Sequence, residues 1–186
     1  MLVNKAKEFA TQAHNSINQI RKYTGEPYIN HPLSVANIVS QVTKDENIIA
    51  TAWLHDVVED TPYTLSEIEK LFGFKVALFV SQLTNVTKKS DGSREYRKAK
   101  EREHISQACY EAKTIKLADI IDNTKSIESE NPEFAKIYMA EKRLMLEVLK
   151  DGNQILYKRA KMIINNYFKK QDISNMNENT DVRNAI

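Results

Sequence analysis

Apolar residues recur every three or four positions along most of this chain, which is the spacing of one helix face. Near the N-terminus, Ala6, Phe9, Ala10 and Ala13 form such a stripe. Alternation of apolar and polar residues, the mark of a half-buried strand, is weak, and the 186 residues include only four glycines. The pattern therefore predicts an all-α fold, and the length predicts a single domain.

Turn and capping residues divide the chain into successive helices. Pro27 indicates a loop over 20–30, and Pro32 suits the first turn of the next helix. Thr64 and Glu67 have the spacing of a capping box. The predicted helices after the first one cover 32–42, 47–58, 64–73, 75 onward, 95–109, 112–126, 131–150 and 153–168.

The C-terminal residues differ in composition from the rest of the chain. Asn, Asp, Glu and Ser dominate 171–186, which leaves little apolar surface to bury. We therefore assign residues 1–170 to one helical domain and expect 171–186 to form a flexible tail.

An apolar run interrupted by four ionisable residues is the most informative segment of the chain. Within 52–61, His55, Asp56, Glu59 and Asp60 stand among apolar residues. Burying charge beside a core is costly unless the charges pair or hold a metal. On a helix, residues four apart share a face, so His55 is predicted beneath Glu59 and Asp56 beneath Asp60. We expect His55 and Asp56 to bind a metal and Glu59 and Asp60, one turn on, to position a water bound to it.

One helix cannot complete a coordination sphere, so further ligands must come from elsewhere. His31, followed by a proline, and Asp119 are the candidates. Imidazole and carboxylate ligands together suit a divalent ion such as Mn²⁺, Fe²⁺ or Zn²⁺. Singly, each residue has an ordinary explanation: Asp60 before Thr61 and Pro62 also suits a helix end, and His31 suits a loop. Jointly, the residues predict a metal site.

These motifs resemble the HD superfamily of metal-dependent phosphohydrolases. More closely, the chain is similar to the alarmone hydrolase domain of RelA/SpoT homologues, in its small stand-alone form. The resemblance spans about residues 5–165 and keeps the family order of motifs. The matching segments are Gln-Ile-Arg-Lys at 19–22, Pro-Tyr-Ile-Asn-His-Pro at 27–32, His-Asp-Val-Val-Glu-Asp-Thr at 55–61 and Lys-Leu-Ala-Asp at 116–119.

The resemblance implies a role for each site residue and a single-domain helical bundle of the HD type. One Mn²⁺ ion would be bound by His31, His55, Asp56 and Asp119. The attacking water would be served by Glu59 and Asp60. The guanine nucleotide would be held by Arg21, Lys22, Asn123 and Tyr138.

The resemblance also implies a reaction, the Mn²⁺-dependent removal of the 3′-pyrophosphate from ppGpp or pppGpp. The products would be GDP or GTP and pyrophosphate. A chain of this length has no room for a synthetase domain, so we expect hydrolase activity only. Two alternatives stay open: an HD enzyme acting on another nucleotide, such as ppApp, NADPH or a nucleoside monophosphate, and a nucleotide sensor without catalytic activity.

Two residues depart from the family pattern. Ile120 follows Asp119 where many bifunctional members carry a basic residue, and Asp122 adds a carboxylate near the site. We expect both to affect base or phosphate preference and neither to touch the proposed metal ligands.

Composition is compatible with a cytoplasmic enzyme that acts on a small molecule. The formal net charge of +2 does not imply binding to polymeric nucleic acid, and the longest uncharged apolar stretch is too short for a bilayer. One cysteine excludes a disulfide within the chain, and the N-terminus lacks the apolar core of a signal peptide. The oligomeric state stays open.

A charged segment at 88–103 has two interpretations. It carries seven lysine and arginine residues and four acidic ones. The favoured interpretation is a solvated helix with local ion pairs. The functional alternative is a basic rim over the cleft that contacts phosphates.

Overall fold

Helices make up the ordered architecture, as the apolar spacing predicts. The computed structural model describes the backbone of residues 1–184 and the side chains of residues 1–173. The only extended pairing within these residues is an isolated bridge between Ile20 and Pro27. The helices are α1 Leu2–Ser16, α2 Asn30–Ser40, α3 Glu46–Leu54, α4 Val57–Asp60, α5 Leu65–Phe72, α6 Phe74–Leu83, α7 Arg94–Ser106, α8 Tyr110–Asn123, α9 Ile127–Glu130, α10 Pro132–Leu146 and α11 Gln154–Asn184. The all-α prediction is confirmed.

Two helices, α3 and α8, form the centre of the bundle. Helix α3 packs against α1, α2 and α6, and α8 packs against α2 and α11. Leu117, Ile120 and Ile121 of α8 are fully buried, and so is Leu54 at the end of α3. Helix α3 is apolar on most sides, which suits the interior, whereas α8 also carries buried charged residues. Because the metal-ligand candidates sit on or beside these helices, the core itself fixes their positions.

Local capping chemistry sets several helix ends where the sequence predicts them. The Thr64 side chain accepts from the Glu67 backbone, and the Glu67 carboxylate accepts from the Thr64 backbone, which completes the capping box of α5. That helix stops at Gly73, whose φ of 86° suits a residue without a side chain. Asn131 caps α10 ahead of Pro132.

The prediction of one continuous site helix over 47–58 is wrong, because the structure has two helices there. Helix α3 ends at Leu54 and α4 begins at Val57, so His55 and Asp56 lie in the turn between them. The Nδ1 atom of His55 is 2.8 Å from the Ala52 carbonyl. In an uninterrupted helix that carbonyl would accept from the Asp56 backbone. The helix breaks where the His55 side chain occupies this backbone acceptor.

The last helix is longer than predicted. Helix α11 continues to Asn184, so the expected end near Phe168 is wrong. Neither glycine nor proline occurs in 154–186, and helix propagation adds one hydrogen bond per residue without requiring burial. Residues 185 and 186 lie outside the described part, and the flexibility of 171–186 stays a prediction. Within the described residues, no helix combines the length and apolarity needed to cross a bilayer.

Gly152 sits where the chain between α10 and α11 approaches α8 closely. A Cβ at this position would lie 2.9 Å from Leu117 Cδ1 and 3.2 Å from the Lys113 carbonyl carbon. We expect Gly152→Ala to lower the free energy of unfolding by about 1–3 kcal/mol, the usual cost of overpacking. Lys150→Ala, which removes an exposed ion pair with Glu147, is the control and should leave the free energy of unfolding unchanged within experimental error. Urea unfolding measures both, and equal stability of Gly152→Ala and wild type would contradict the packing argument.

Candidate metal centre and adjoining cleft

The four predicted metal ligands converge from three parts of the fold. His31 lies in the first turn of α2, His55 and Asp56 form the turn between α3 and α4, and Asp119 lies on α8. The Nε2 atom of His31 is 3.3 Å from Asp119 Oδ1 and 3.5 Å from Asp56 Oδ2. The Nε2 atom of His55 is 3.1 Å from the same Asp56 oxygen. One ligand atom each from His31, His55 and Asp56 lie within 4.8 Å of one another.

This geometry fits a divalent ion. With metal–ligand bonds of about 2.1 Å, neighbouring ligand atoms in tetrahedral or octahedral sites lie about 3.0–3.4 Å apart. Within the described part of the chain, the buried His55 Nε2 has no hydrogen-bond partner although Asp56 Oδ2 is close, so the two atoms are not aligned to bond each other. An unpaired buried nitrogen is costly unless something else binds it. Two imidazoles and two carboxylates suit a first-row transition metal.

Hydrogen bonds at the Nδ1 atoms of His31 and His55 orient both rings so that their Nε2 atoms face the candidate metal site. His55 Nδ1 lies 2.8 Å from the Ala52 carbonyl, which can only accept, so Nδ1 carries the proton. His31 Nδ1 lies 2.7 Å from Asp122 Oδ2, which acts as the acceptor in the same way. Both Nε2 atoms are thereby left as potential ligands, the arrangement found around protein-bound metals.

The expectation that Asp122 leaves the ligands untouched is wrong, because it accepts a hydrogen bond from His31. Ser34, Lys125 and Arg21 also donate to its carboxylate, the last two at 2.9 and 3.0 Å. Burial would raise the pKa of Asp122, but the bonds from His31, Ser34 and Lys125 hold it well below its usual range. Asp122 is therefore a fixed anion behind His31. The signal available in the sequence was its spacing of three residues from Asp119 on one helix.

Ile120, the other departure from the family pattern, lies elsewhere. Its side chain is fully buried in the core. This position agrees with the expectation that Ile120 does not contact the proposed ligands. Its burial gives no support to an effect on substrate preference.

Buried charges at the site are balanced by neighbours. Burial would lower the pKa of His31, but hydrogen bonds to Asp119 and Asp122 raise it to about 9. Burial would raise the pKa of Asp56 and of Asp119, yet adjacent cations lower both: His55 for Asp56, and Lys116, 3.0 Å away, for Asp119. The carboxylates are therefore ionised at neutral pH, and a metal that binds His31 Nε2 must displace a proton.

Glu59 and Asp60 lie on the short helix α4 at the exposed edge of the site. The Asn85 side chain and backbone donate to Glu59, the backbone bond being 3.2 Å long. Gln19 Nε2 donates to Asp60 Oδ2 at 2.8 Å. Burial and then the charge of Asp56 raise the pKa of both carboxyls. Raised carboxyl pKa values suit groups that take up a proton from water.

A cavity of about 240 Å³ adjoins the metal centre and has His31 in its wall. All four residues predicted to bind the nucleotide line it: Arg21, Lys22, Asn123 and Tyr138. Tyr23 and Phe134 also line it, and sequence reasoning missed these two rings. The structure thus brings the predicted binding residues together beside the predicted ligands.

Two of these four residues also contact the ligand network directly. Arg21 donates to Asp122 and, at 3.4 Å, to Asn123 Oδ1. Asn123 Nδ2 in turn donates to Asp119 Oδ1. Lys22 differs, since its ammonium lies 5.1 Å from the centre of the Tyr23 ring and contacts no proposed metal ligand in the described structure. Arg21 and Asn123 therefore couple the cleft to the metal centre.

Tyr28 is a further site residue that the motif contained without a role. Its hydroxyl donates to Asp56 Oδ2 at 2.6 Å. Burial and the charge of Asp56 raise the pKa of this phenol well above its usual range, so it stays a donor. The only sign of this role in the sequence was that Tyr28 lies three residues before His31.

The charged segment 88–103 supports both of its interpretations in part. Local ion pairs are present, including Lys100 with Glu103 and Lys98 with Glu101. The segment also lines a second cavity, of about 230 Å³, which has Glu59 in its wall. Lys88, Lys89, Arg94, Arg97 and Lys98 contribute to this lining. Basic side chains therefore stand beside one of the predicted water-activating carboxylates.

The fold and the site together define a helical protein with a histidine–aspartate cluster that could hold a metal ion. The chain belongs to the HD-domain family, whose model matches residues 6–145. A zebrafish relative named guanosine-3′,5′-bis(diphosphate) 3′-pyrophosphohydrolase MESH1 is 39% identical over 129 residues, covering 67% of this chain and 68% of the relative. A protein from Aquifex aeolicus with the same enzyme name is 39% identical over 130 residues, covering 67% of this chain but 18% of the relative.

The chain spans less than a fifth of the length of the Aquifex aeolicus and Synechocystis relatives. Solved structures extend the likeness. A metazoan orthologue of SpoT, described as hydrolysing ppGpp, aligns with a TM-score of 0.80 at 28% identity, covering 89% of this chain and 95% of its own. The Listeria monocytogenes protein lmo0812 aligns with a TM-score of 0.62 at 28% identity, covering 76% and 98%.

Asp122 should control metal affinity through His31. We expect Asp122→Asn to weaken metal binding by about 10–100-fold, because loss of a carboxylate behind a ligand histidine has this typical effect. Calorimetric titration of the metal-free protein with Mn²⁺ measures the change. Asp172→Asn removes one negative charge from an exposed position on α11 and should leave affinity unchanged. Equal affinity in Asp122→Asn and Asp172→Asn would refute this role.

Proposed function

We propose that this protein is a metal-dependent phosphohydrolase that removes the 3′-pyrophosphate of ppGpp or pppGpp. The observation that carries the proposal is a His31–His55–Asp56 cluster in direct continuity with a cavity lined by Arg21 and Lys22. A phosphorylated nucleotide needs both a cation and basic side chains near its phosphates. The enzyme names of the zebrafish and Aquifex aeolicus relatives support the substrate.

We propose His31, His55, Asp56 and Asp119 as the ligands and Mn²⁺ as the ion. A divalent ion in such a site supplies Lewis-acid activation of water and polarises a phosphoryl oxygen. Ser34 and Lys125 hold Asp122, Asp122 orients His31, and Tyr28 orients Asp56. The chain thereby fixes ligand geometry before the ion arrives.

The protein side chains supply the proton transfer. Glu59 and Asp60 orient the attacking water and take up its proton, for which their raised pKa values suit them. Water attacks the phosphorus attached to the 3′ oxygen, and the bond between them breaks. Pyrophosphate leaves as one unit with the oxygen of the water, and the 3′ oxygen becomes a hydroxyl by receiving the proton that the Glu59–Asp60 pair took from the water. Arg21 and Lys22 offset the charge that the phosphates bring into the cleft.

The aromatic side chains of the cleft suit a nucleotide base. Tyr23, Phe134 and Tyr138 line one cavity with Asn123. Rings offer stacking surfaces, and an amide offers both a donor and an acceptor for a base edge. We propose a small-molecule guanine nucleotide as the partner and the cytoplasm as the place of action.

Product analysis tests the reaction. The protein is incubated with ppGpp, and separately with ppApp and NADPH, in Mn²⁺, and products are separated by chromatography. We expect GDP and pyrophosphate from ppGpp, and no turnover after exhaustive chelation or in Asp56→Ala. GMP or orthophosphate as the first product would indicate a different HD reaction. Faster turnover of ppApp or NADPH would indicate another substrate. Binding of ppGpp without turnover would indicate a nucleotide sensor.

Glu59 and Asp60 should separate catalysis from metal binding. Glu59→Gln and Asp60→Asn keep side-chain size and remove the acceptor of the proton. Turnover should fall by roughly 10²-fold or more, a typical general acid–base contribution, while bound metal stays at the wild-type level. Elemental analysis alongside kinetics checks both quantities. Loss of metal in Glu59→Gln would mean that this residue is a ligand.

Lys22 and Arg21 should differ in salt dependence, because Lys22 presents a point charge whereas Arg21 is already bonded to Asp122. Lys22→Ala is expected to raise KM for ppGpp, with a strong salt dependence, and to leave metal affinity unchanged. Arg21→Ala should raise KM with a weaker salt dependence while the metal stays bound, because His31, Ser34 and Lys125 still bond the Asp122 carboxylate. Lys158→Ala, on the exposed side of α11, is the control. Unchanged KM in both variants at low salt would remove the two residues from the substrate site.

A further inference from the structure

A buried histidine outside the metal centre is joined to Asp60 through one glutamine. His14 lies on α1 and its side chain is completely buried. Its Nδ1 is 2.7 Å from Gln19 Oε1, and Gln19 Nε2 donates to Asp60 Oδ2 at 2.8 Å. The three side chains form a continuous line from the core to the exposed carboxylate. None of the roles assigned above uses His14.

The direction of every hydrogen bond in this line is fixed by chemistry. An ionised carboxylate only accepts, so Gln19 must present its NH₂ group to Asp60 and its carbonyl to His14. His14 must then carry a proton on Nδ1. Burial lowers the pKa of His14, so the ring is neutral at pH 7. Its Nε2 is buried and has no hydrogen-bond partner among the described residues.

Backbone and ring contacts hold the middle of the line in place. The Gln19 backbone N–H donates to the His14 carbonyl at 3.1 Å, and the Gln19 carbonyl accepts from Tyr28 at 3.0 Å. The His14 ring also packs on the Tyr28 ring, with centroids 4.8 Å apart. Gln19 is therefore clamped on both sides although it lies in the loop after α1.

We propose that His14 and Gln19 are positioning residues for Asp60, fixing one carboxylate oxygen so that the other faces the attacking water. Asp60 needs such a partner because it is exposed at the end of a helix of only four residues. With Oδ2 bonded to Gln19, rotation of the carboxylate is restricted and Oδ1 is left for the substrate water. Restricting a reacting group in this way lowers the entropic part of the barrier. The inference rests on the proposed function, in which Asp60 serves the water.

The His14 tautomer is a test that needs no activity. Long-range ¹⁵N–¹H spectra of the full-length protein without metal report which ring nitrogen carries the proton. We expect neutral His14 with the proton on Nδ1 at pH 7. A proton on Nε2 would reverse the bond to Gln19 and overturn the proposal.

Variants of Gln19 separate positioning from folding. Gln19→Leu keeps bulk and removes the donor, so we expect kcat to fall about 10-fold, with KM for ppGpp and bound metal unchanged. The Gln19 bond lowers the pKa of Asp60, so its loss should also move the acidic limb of the kcat profile to higher pH. Gln12→Ala, exposed on α1, is the control. An unchanged kcat and pH profile in Gln19→Leu would overturn the proposal.

Two variants of His14 separate the effect of its hydrogen bond to Gln19 from the effect of its ring packing on Tyr28. In His14→Asn the amide nitrogen replaces Nδ1 as donor, whereas His14→Phe keeps a ring against Tyr28 and has no donor. We expect His14→Asn to retain several-fold more kcat than His14→Phe, among variants whose circular dichroism matches wild type. The opposite order would contradict the proposal. Wild type inactive toward ppGpp would instead refute the proposed function, and the tautomer measurement would still decide the bond to Gln19.

Discussion

The structure depends on burying charge in a helical core without leaving it unpaired. Helix α8 carries Asp119 and Asp122 into the interior, where both are almost inaccessible to water. Each carboxylate would be strongly destabilising alone. His31 lies between them, 2.7 Å from Asp122 and 3.3 Å from Asp119. Lys116 adds positive charge beside Asp119, and Arg21 and Lys125 add it beside Asp122. This arrangement fixes α2 against α8, and the site exists because that contact is specific.

Local sequence signals predict most of the fold and indicate the candidate metal ligands. The capping box at Thr64, the turn at Gly73 and the helical spacing all act within a few residues, so the sequence reveals them directly. His31, His55, Asp56 and Asp119 are recognisable because their motifs are short and their order is characteristic. Their convergence follows from the family resemblance, since nothing in helical periodicity alone brings α2 and α8 together.

Features that depend on contacts between distant segments could not be predicted. The turn at His55 arises from a side chain that competes for a backbone acceptor, which periodicity does not register. Asp122 resembled a peripheral carboxylate because its partners Ser34 and Arg21 lie 88 and 101 positions away. The predicted end of the last helix at Phe168 is wrong for a different reason. The polar composition after Phe168 indicated disorder, but no glycine or proline in this segment stops the helix.

The same network explains how the site can exist with and without its ion. Without metal, the proton on His31 balances neighbouring carboxylates, and hydrogen bonds to Asp119 and Asp122 raise the pKa to about 9. This proton stabilises the fold fully below the unfolded pKa of about 6.5, and that contribution is lost as pH rises through 9. Because Nδ1 is bonded to Asp122, Nε2 is the His31 atom at which a divalent ion would take the place of that proton. The centre is therefore prepared for a cation by the interactions that make the metal-free core stable.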